Sequence, residues 1–147
     1  MTLLIIIASI LFYSFYKYST FKANSTKQIV DESIEIIRNT KNFDVVLSRY
    51  DTCKYHVDNK TLMEEVRSVT RIAIHDCCLV YFNEKVEKAN KLKTDKGRAG
   101  RLLKLIEYYE ENLNHIPPEF IDDCKGSIDG CKGGMNYWKE QIIELSS

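Results

Sequence analysis

The sequence has few of the residues that mark non-globular or disulfide-rich proteins. Two prolines and six glycines in 147 residues exclude a collagen-like or a Pro/Gly-rich disordered chain. Five unevenly spaced cysteines are too few for a disulfide-dense secreted miniprotein. Neither sign of charge is in excess, since 21 basic residues balance 21 acidic ones, which argues against nucleic-acid binding by charge alone. No stretch sustains the alternation of a β-strand, which argues against an all-β fold.

An uncharged apolar run, from Met1 to Tyr16, opens the chain. A bilayer crossing needs about 20 such residues, and extension to Phe21 admits only Lys17 as a charge. The run lacks the basic start and small-residue cleavage site of a signal peptide, which favours an uncleaved membrane anchor over residues 1–21. Lysines follow the run but do not precede it, so we expect a single-pass protein whose body, residues 22–147, is cytoplasmic. The alternative is a buried first helix of a soluble bundle.

Beyond this run, apolar residues recur every three or four positions, which is the period of an α-helix. The periodic segments begin at Thr26, Phe43, Leu62 and Arg98, and a last one covers residues 137–145. The expected fold class is therefore all-α, with an N-terminal transmembrane helix followed by a small helical bundle. Within that bundle, we expect Leu62–Lys93 and Arg98–Asn114 to form a long antiparallel helical hairpin.

Local signals indicate where these helices begin and end. Thr61 and Glu64 have the spacing of a capping box, which would start the hairpin's first helix. Glycines predict a turn at Thr94–Gly100, and two consecutive prolines stop the following helix near His115. A second group of glycines predicts a loop before the terminal helix: Gly126, Gly130, Gly133 and Gly134.

Two Cys/His pairs form the only candidate metal site. Cys53 and His56 are three residues apart, as are His75 and Cys78, so each pair lies on one side of a helix. Two antiparallel helices could bring the four side chains together as a Cys₂His₂ zinc site. The alternative is that the cysteines lie in the hydrophobic core. Cys124 and Cys131 flank the predicted glycine loop, and whether they pair depends on the compartment.

Positive charge is concentrated around the predicted hairpin turn. Residues 85–104 contain eight bases and two acids, a net charge of +6, whereas residues 105–147 carry −6. We define the basic tip by four of these bases, Lys93, Lys96, Arg98 and Arg101, where glycines and a helix N-terminus favour an anion. The tip could bind an anionic lipid, a phosphate or nucleic-acid backbone, or an acidic partner surface. The alternative is a solvated end of a hairpin.

No catalytic motif accompanies these features. The sequence contains no Walker, Gly-x-Ser-x-Gly or His-Glu-x-x-His pattern, so we expect neither an enzyme nor a cofactor. The leading hypothesis is a membrane-anchored helical protein that binds another macromolecule, as an adaptor, immunity or exclusion factor, or envelope accessory subunit. Its expected partner is a protein, with anionic lipid as a further ligand and nucleic acid disfavoured. The alternative is a binder of anionic phosphate, lipid headgroup or RNA through Lys93 to Arg101.

Overall fold

The computed structural model describes the backbone of residues 2–146 and the side chains of residues 11–145. This part of the chain is helical and contains no strand, which confirms the all-α fold class. Its α-helices are α1 (Thr2–Asn39), α2 (Phe43–His56), α3 (Lys60–Asp76), α4 (Phe82–Asn90), α5 (Asp95–Asn114), α6 (Pro118–Ile121) and α7 (Lys125–Ser146). A π-helical segment, Cys77–Tyr81, joins α3 to α4.

Helix α1 runs without a break across position 21, where the sequence predicted the end of a membrane anchor. Within the described part of the chain, no helix combines the length and the apolarity that a membrane crossing requires. The apolar side chains of residues 11–21 cover about 16 Å at 1.5 Å per residue, against a hydrocarbon core of about 30 Å. Lys17, Ser19 and Thr20 also interrupt this stretch.

The predicted anchor also depended on residues 1–10, whose side chains lie outside the described residues. The prediction of an N-terminal transmembrane helix, and with it of a single-pass membrane protein with a cytoplasmic body, is wrong. The apolar run is part of the longer helix α1, in which polar residues become more frequent after Tyr16.

The first arm of the predicted hairpin is one continuous helical rod made of α3, the π segment and α4. Its N-cap is Asn59, whose side-chain oxygen accepts a hydrogen bond from the Leu62 N–H at 3.1 Å. The capping box predicted at Thr61 and Glu64 is therefore wrong, because the helix begins at Lys60 and the carboxylate of Glu64 pairs with Arg67 instead. A single asparagine performs the capping.

The π segment changes which residues of the rod are buried. The Phe82 N–H bonds to the Cys77 carbonyl five residues earlier, and the Tyr109 hydroxyl donates to the same carbonyl at 3.0 Å. One extra residue in this turn rotates the following helix, so that Cys77 and its neighbour Cys78 are both buried. Val80, which continues the buried stripe in a regular helix, is 45% exposed.

Helix α5 begins earlier than the glycines suggested. The Thr94 hydroxyl accepts a hydrogen bond from the Gly97 N–H at 3.2 Å and caps the helix, so Gly97 and Gly100 both lie inside α5. The turn between α4 and α5 therefore covers residues 91–94, and the predicted turn at Thr94–Gly100 is wrong. Helix α5 packs against α4 across this short turn and more extensively against α7, so the structure supports a hairpin of α4 and α5 rather than the predicted long one that also included α3.

Helix α7 includes the glycines that were predicted to form a loop. Gly126, Gly130, Gly133 and Gly134 all lie between Lys125 and Ser146, so the loop prediction is wrong. Two of the glycines lie where a side chain would meet the long rod. A Cβ at Gly130 would be 3.3 Å from Leu79, and one at Gly134 would be 2.9 Å from the Phe82 ring. The glycines therefore permit close helix packing rather than chain reversal.

A buried aromatic group holds α5 against α2 and α4. The Tyr109 ring centroid lies 5.1 Å from that of Phe82 and 5.9 Å from that of Phe43. A second contact, between Tyr50 and Phe120 at 4.8 Å, fastens α6 to α2. These edge-to-face and tilted contacts fix the first turn of α2 beside the hairpin of α4 and α5, where the candidate site lies.

Candidate anion-binding cleft

A cleft of about 560 Å³ lies where α4, α5 and the N-terminus of α2 meet. Its volume falls in the range of small-molecule sites, about 300–1,000 Å³. We call it the basic cleft and define it by its lining residues, Asn42, Asp44, Lys85, Lys88, Arg101, Lys104, Leu105 and Tyr108.

Helical spacing on the two arms explains how the cations come together. Lys85 and Lys88 are three residues apart on α4, while Arg101, Lys104 and Tyr108 follow one another at steps of three and four on α5. Residues at these steps share one face of a helix. Because the arms are antiparallel, the two faces lie opposite each other, with the turn at residues 91–94 beyond one end.

Lys85 is the least exposed cation of the cleft. Its Nζ lies 4.9 Å from the ring centroid of Tyr108 and 5.5 Å from that of Tyr109, distances at which the ring faces attract a cation. The same Nζ donates a long hydrogen bond of 3.4 Å to the Lys41 carbonyl. Burial lowers the pKa of Lys85 below its ordinary value; Cys77 and Asp44 oppose this shift, and the nearby cation Lys88 adds to it. The cleft therefore holds one ammonium group in a position partly shielded from water.

Tyr108 connects the cleft to α2. Its hydroxyl accepts hydrogen bonds from the backbone N–H groups of Phe43, at 2.8 Å, and of Asp44, at 3.3 Å. It also donates to the Asp44 carboxylate at 2.6 Å. Burial raises the pKa of Tyr108, and so does its hydrogen bond to Asp44, so the phenol stays protonated. One side chain thus satisfies the first amide groups of α2 and fixes the position of Asp44 in the cleft wall.

The cleft has more positive than negative charge. Four cations line it against one carboxylate, Asp44. None of the four takes part in the ion pairs formed within the described part of the chain. Lys88, Arg101 and Lys104 are exposed, so their charges face solvent within a concave surface. Such a surface concentrates positive potential and attracts anions.

The basic tip predicted from the sequence overlaps this cleft at one residue only. Arg101 lines the cleft, whereas Lys93 lies in the turn and Lys96 in the first turn of α5, both exposed. Arg98 is paired with the Asp95 carboxylate three residues earlier. The basic cleft thus lies nearer the body than the basic tip does.

Several residues of the cleft were missed in the sequence analysis. Lys85, Lys88 and Lys104 belong to the basic stretch of residues 85–104. Their three-residue steps were a signal that Lys85 and Lys88 share one helical face, and that Lys104 shares another with Arg101. Asp44 comes from a segment about 40 residues earlier in the chain. No spacing rule relates it to the hairpin, so only the packing of α2 could reveal it.

The four residues of the predicted zinc site do not form one. Cys53 and Cys78 are buried, but His56 and His75 are exposed, with His56 against the Tyr55 ring and His75 beside Asp76. Among the described residues, no three or more His, Cys, Asp or Glu side chains are placed to hold a metal ion. The zinc prediction fails because each pair places its cysteine in the core and its histidine at the surface.

The cysteines are free thiols and buried in the core. Burial raises the pKa of Cys77 to about 12. Cys131 lies within α7, and the proximity of its thiol to that of Cys78, together with burial, raises the pKa of Cys78. Cys124 precedes α7, and its thiol lies 3.8 Å from the Arg71 carbonyl. The structure therefore shows no Cys124–Cys131 bond, and it places both thiols against α3 and the π segment.

The chain matches no family model, no curated protein and no solved structure.

Proposed function

We propose that this protein is a non-catalytic binding protein, and that its basic cleft holds a phosphate-bearing anion. The observation that carries the proposal is a group of four cations around one concave surface, none of which forms an ion pair with another described residue. Most cations on a protein surface are dispersed or paired with carboxylates. Here Lys85, Lys88, Arg101 and Lys104 converge from two helices onto the same space.

The residue types suit phosphate. The planar guanidinium of Arg101 can donate two parallel hydrogen bonds to a phosphate, and the ammonium groups act as point charges around it. Lys85 adds a charge that is already partly desolvated and held over two tyrosine rings. The ammonium group of Lys85 already loses part of its hydration when the protein folds. Its attraction for an anion is therefore less screened by water.

The proposal is tested by calorimetric titration of the full chain with inorganic tripolyphosphate. The test variant is Lys88→Glu/Arg101→Glu, and the matched control is Lys60→Glu/Lys132→Glu, which makes the same change of net charge at exposed positions outside the cleft. Hydrogen bonds to charged groups contribute about 1.5–3 kcal/mol, so we expect the cleft variant to bind at least about tenfold more weakly. Binding should also weaken as salt is raised.

Absence of tripolyphosphate binding at low salt would overturn the proposal. An equal loss of affinity in the cleft and control variants would do the same, because it would mean that only net charge matters. Circular dichroism of both variants verifies that the exposed substitutions leave the helices intact.

The same titration separates small phosphates from other phosphate sources. Single-stranded RNA and vesicles of anionic phospholipid serve as the comparison ligands. Tripolyphosphate binding that depends on Lys88 and Arg101 supports the proposal. Cleft-dependent binding of RNA or of vesicles, with none of tripolyphosphate, would contradict it. The single carboxylate of Asp44 already disfavours a continuous phosphate backbone along the cleft.

A second candidate function, protein binding, is supported by the N-terminal part of α1. Seven large apolar side chains of residues 11–21 are 62–74% exposed, a density that is unusual on a protein surface. They are Leu11, Phe12, Tyr13, Phe15, Tyr16, Tyr18 and Phe21. Residues 11–30 also contain three lysines and no acid. We therefore expect a protein partner with an apolar groove and an acidic rim.

Photo-crosslinking in cells tests this second function. A photoreactive phenylalanine analogue replaces Phe15, and the same analogue at Tyr55, which is 84% exposed on α2, is the control. The proposal would be supported if position 15 crosslinks to one discrete partner and if that crosslink is lost in the variant Lys17→Glu/Lys27→Glu. Equal crosslinking from both positions, or crosslinking of position 15 to a second copy of this chain, would contradict it.

A further inference from the structure

The basic cleft has two chemically different ends. Lys88 and Arg101 lie toward the turn of the hairpin, whereas Asn42 and Asp44 lie at the other end, beside Tyr108 and the half-buried ammonium of Lys85. Asp44 is exposed and uses one carboxylate oxygen to accept the Tyr108 hydroxyl. Within the described part of the chain, this carboxylate forms no ion pair, although Lys85 is close enough for the two charges to attract each other.

A carboxylate in a basic cleft affects different anions in different ways. It repels an anion whose charge extends along the whole cleft. It also accepts hydrogen bonds, so it attracts a ligand with hydroxyl groups at that end. The Asn42 amide, which can donate and accept, lines the same end. The two ends together therefore suit a molecule with a phosphate at one end and hydroxyl groups at the other.

We propose that the ligand of the basic cleft is a small phosphate ester of a hydroxylated compound, such as a sugar phosphate or a nucleoside monophosphate. Lys88, Arg101 and Lys104 bind the phosphate, and Asp44 and Asn42 bind the hydroxyl groups. The cleft volume of about 560 Å³ accommodates a molecule of this size. This inference rests on the proposed anion-binding function and adds the recognition of the uncharged end of the ligand.

The test compares two ligands that share a three-carbon chain and a phosphate but differ in hydroxyl groups. Glycerol 3-phosphate has two hydroxyl groups and n-propyl phosphate has none. A hydroxyl bound to a carboxylate is a charge-assisted hydrogen bond, so we expect glycerol 3-phosphate to bind about tenfold more tightly to the full chain. Ribose 5-phosphate and adenosine monophosphate then distinguish sugar phosphates from nucleotides within the class.

The variant Asp44→Asn provides the decisive readout, because it should change affinity in opposite directions for two ligands. Loss of the carboxylate weakens binding of glycerol 3-phosphate, whereas loss of the negative charge strengthens binding of tripolyphosphate. The asparagine can still accept the Tyr108 hydrogen bond. Asp51→Asn removes an exposed carboxylate from the same helix outside the cleft and should change neither affinity.

Asn42→Ala gives an independent measurement, with weaker binding of glycerol 3-phosphate and unchanged binding of tripolyphosphate. Equal binding of the two phosphate esters, with Asp44→Asn strengthening both, would overturn this inference while leaving anion binding in place. Failure of tripolyphosphate to bind at low salt would overturn the proposed function as well.

Discussion

Two adjacent glycines of α7, Gly133 and Gly134, have different surroundings although they share the same helix. A Cβ added at Gly133 would have no neighbour within 4 Å. A Cβ added at Gly134 would lie 2.9 Å from the Phe82 ring, closer than real carbon atoms approach each other. Alanine substitution at the two positions therefore separates the effect of helix propensity from the effect of packing.

Gly133→Ala should stabilise the protein. Glycine inside a helix is about 1 kcal/mol less favourable than alanine, and the added methyl group meets nothing at this position. We therefore expect the free energy of unfolding to rise by about 1 kcal/mol.

Gly134→Ala gains the same propensity but must displace Phe82. That ring is 2% exposed and packs edge-to-face on Tyr109 at 5.1 Å, so it has little space to move. Overpacking of a core costs about 1–3 kcal/mol, which gives a net loss of about 0–2 kcal/mol. The two variants should thus differ by about 1–3 kcal/mol.

Urea unfolding of the full chain, followed by circular dichroism at 222 nm, measures both values. No gain in Gly133→Ala would refute a regular helix at the glycines and restore the loop that the sequence suggested. Equal stabilisation by both variants would refute the packing of α7 on Phe82.

Three further predictions concern helix capping, pH and thiol accessibility. Because Asn59 caps α3, Asn59→Ala should lower the free energy of unfolding by about 1 kcal/mol, whereas Thr61→Ala should lower it by less than about 0.5 kcal/mol. Urea titrations measure both values, and a larger loss in Thr61→Ala than in Asn59→Ala would contradict this prediction. Partial burial raises the pKa of Glu119, but hydrogen bonds from its own N–H, Lys54 and Tyr50 outweigh burial and leave the pKa lowered. Its contribution to stability is therefore present above the unfolded-state pKa of about 4.3 and is lost as pH falls through the lower folded pKa. The stability difference between wild type and Glu119→Gln should shrink between pH 7 and pH 3, and a constant difference would refute the assignment. Finally, a maleimide should label none of the five cysteines in the native protein at pH 7 and all of them in urea, whereas rapid native labelling of Cys131 would contradict its burial in the core.

The helical segments could be predicted from the sequence because helix formation depends on neighbours three and four residues apart. The start of α2 at Phe43 and the end of α5 before Pro117 both follow from such local signals. Glycines misled the prediction twice, at the start of α5 and throughout α7. A glycine that permits close packing and a glycine that reverses the chain look the same in sequence, and only the position of Phe82 distinguishes them.

The excess of basic residues at positions 85–104 was also visible in the sequence, but the shape of the surface that carries them was not. Charge density alone pointed to the tip, where Lys93 and Lys96 are exposed to solvent. The concave surface lies nearer the body, where the rod meets α5 and where Tyr108 holds the first turn of α2.

By itself, the sequence determined that the chain is helical, where most helices lie and which hairpin carries the positive charge, since these properties depend on residues close together along the chain. Only the tertiary structure decided that the glycines of α7 lie in a packed helix, that the cysteines are separated from the histidines and that Asp44 joins the cations. Those outcomes depend on contacts between segments tens of residues apart, which are decided by how side chains of the whole core pack together.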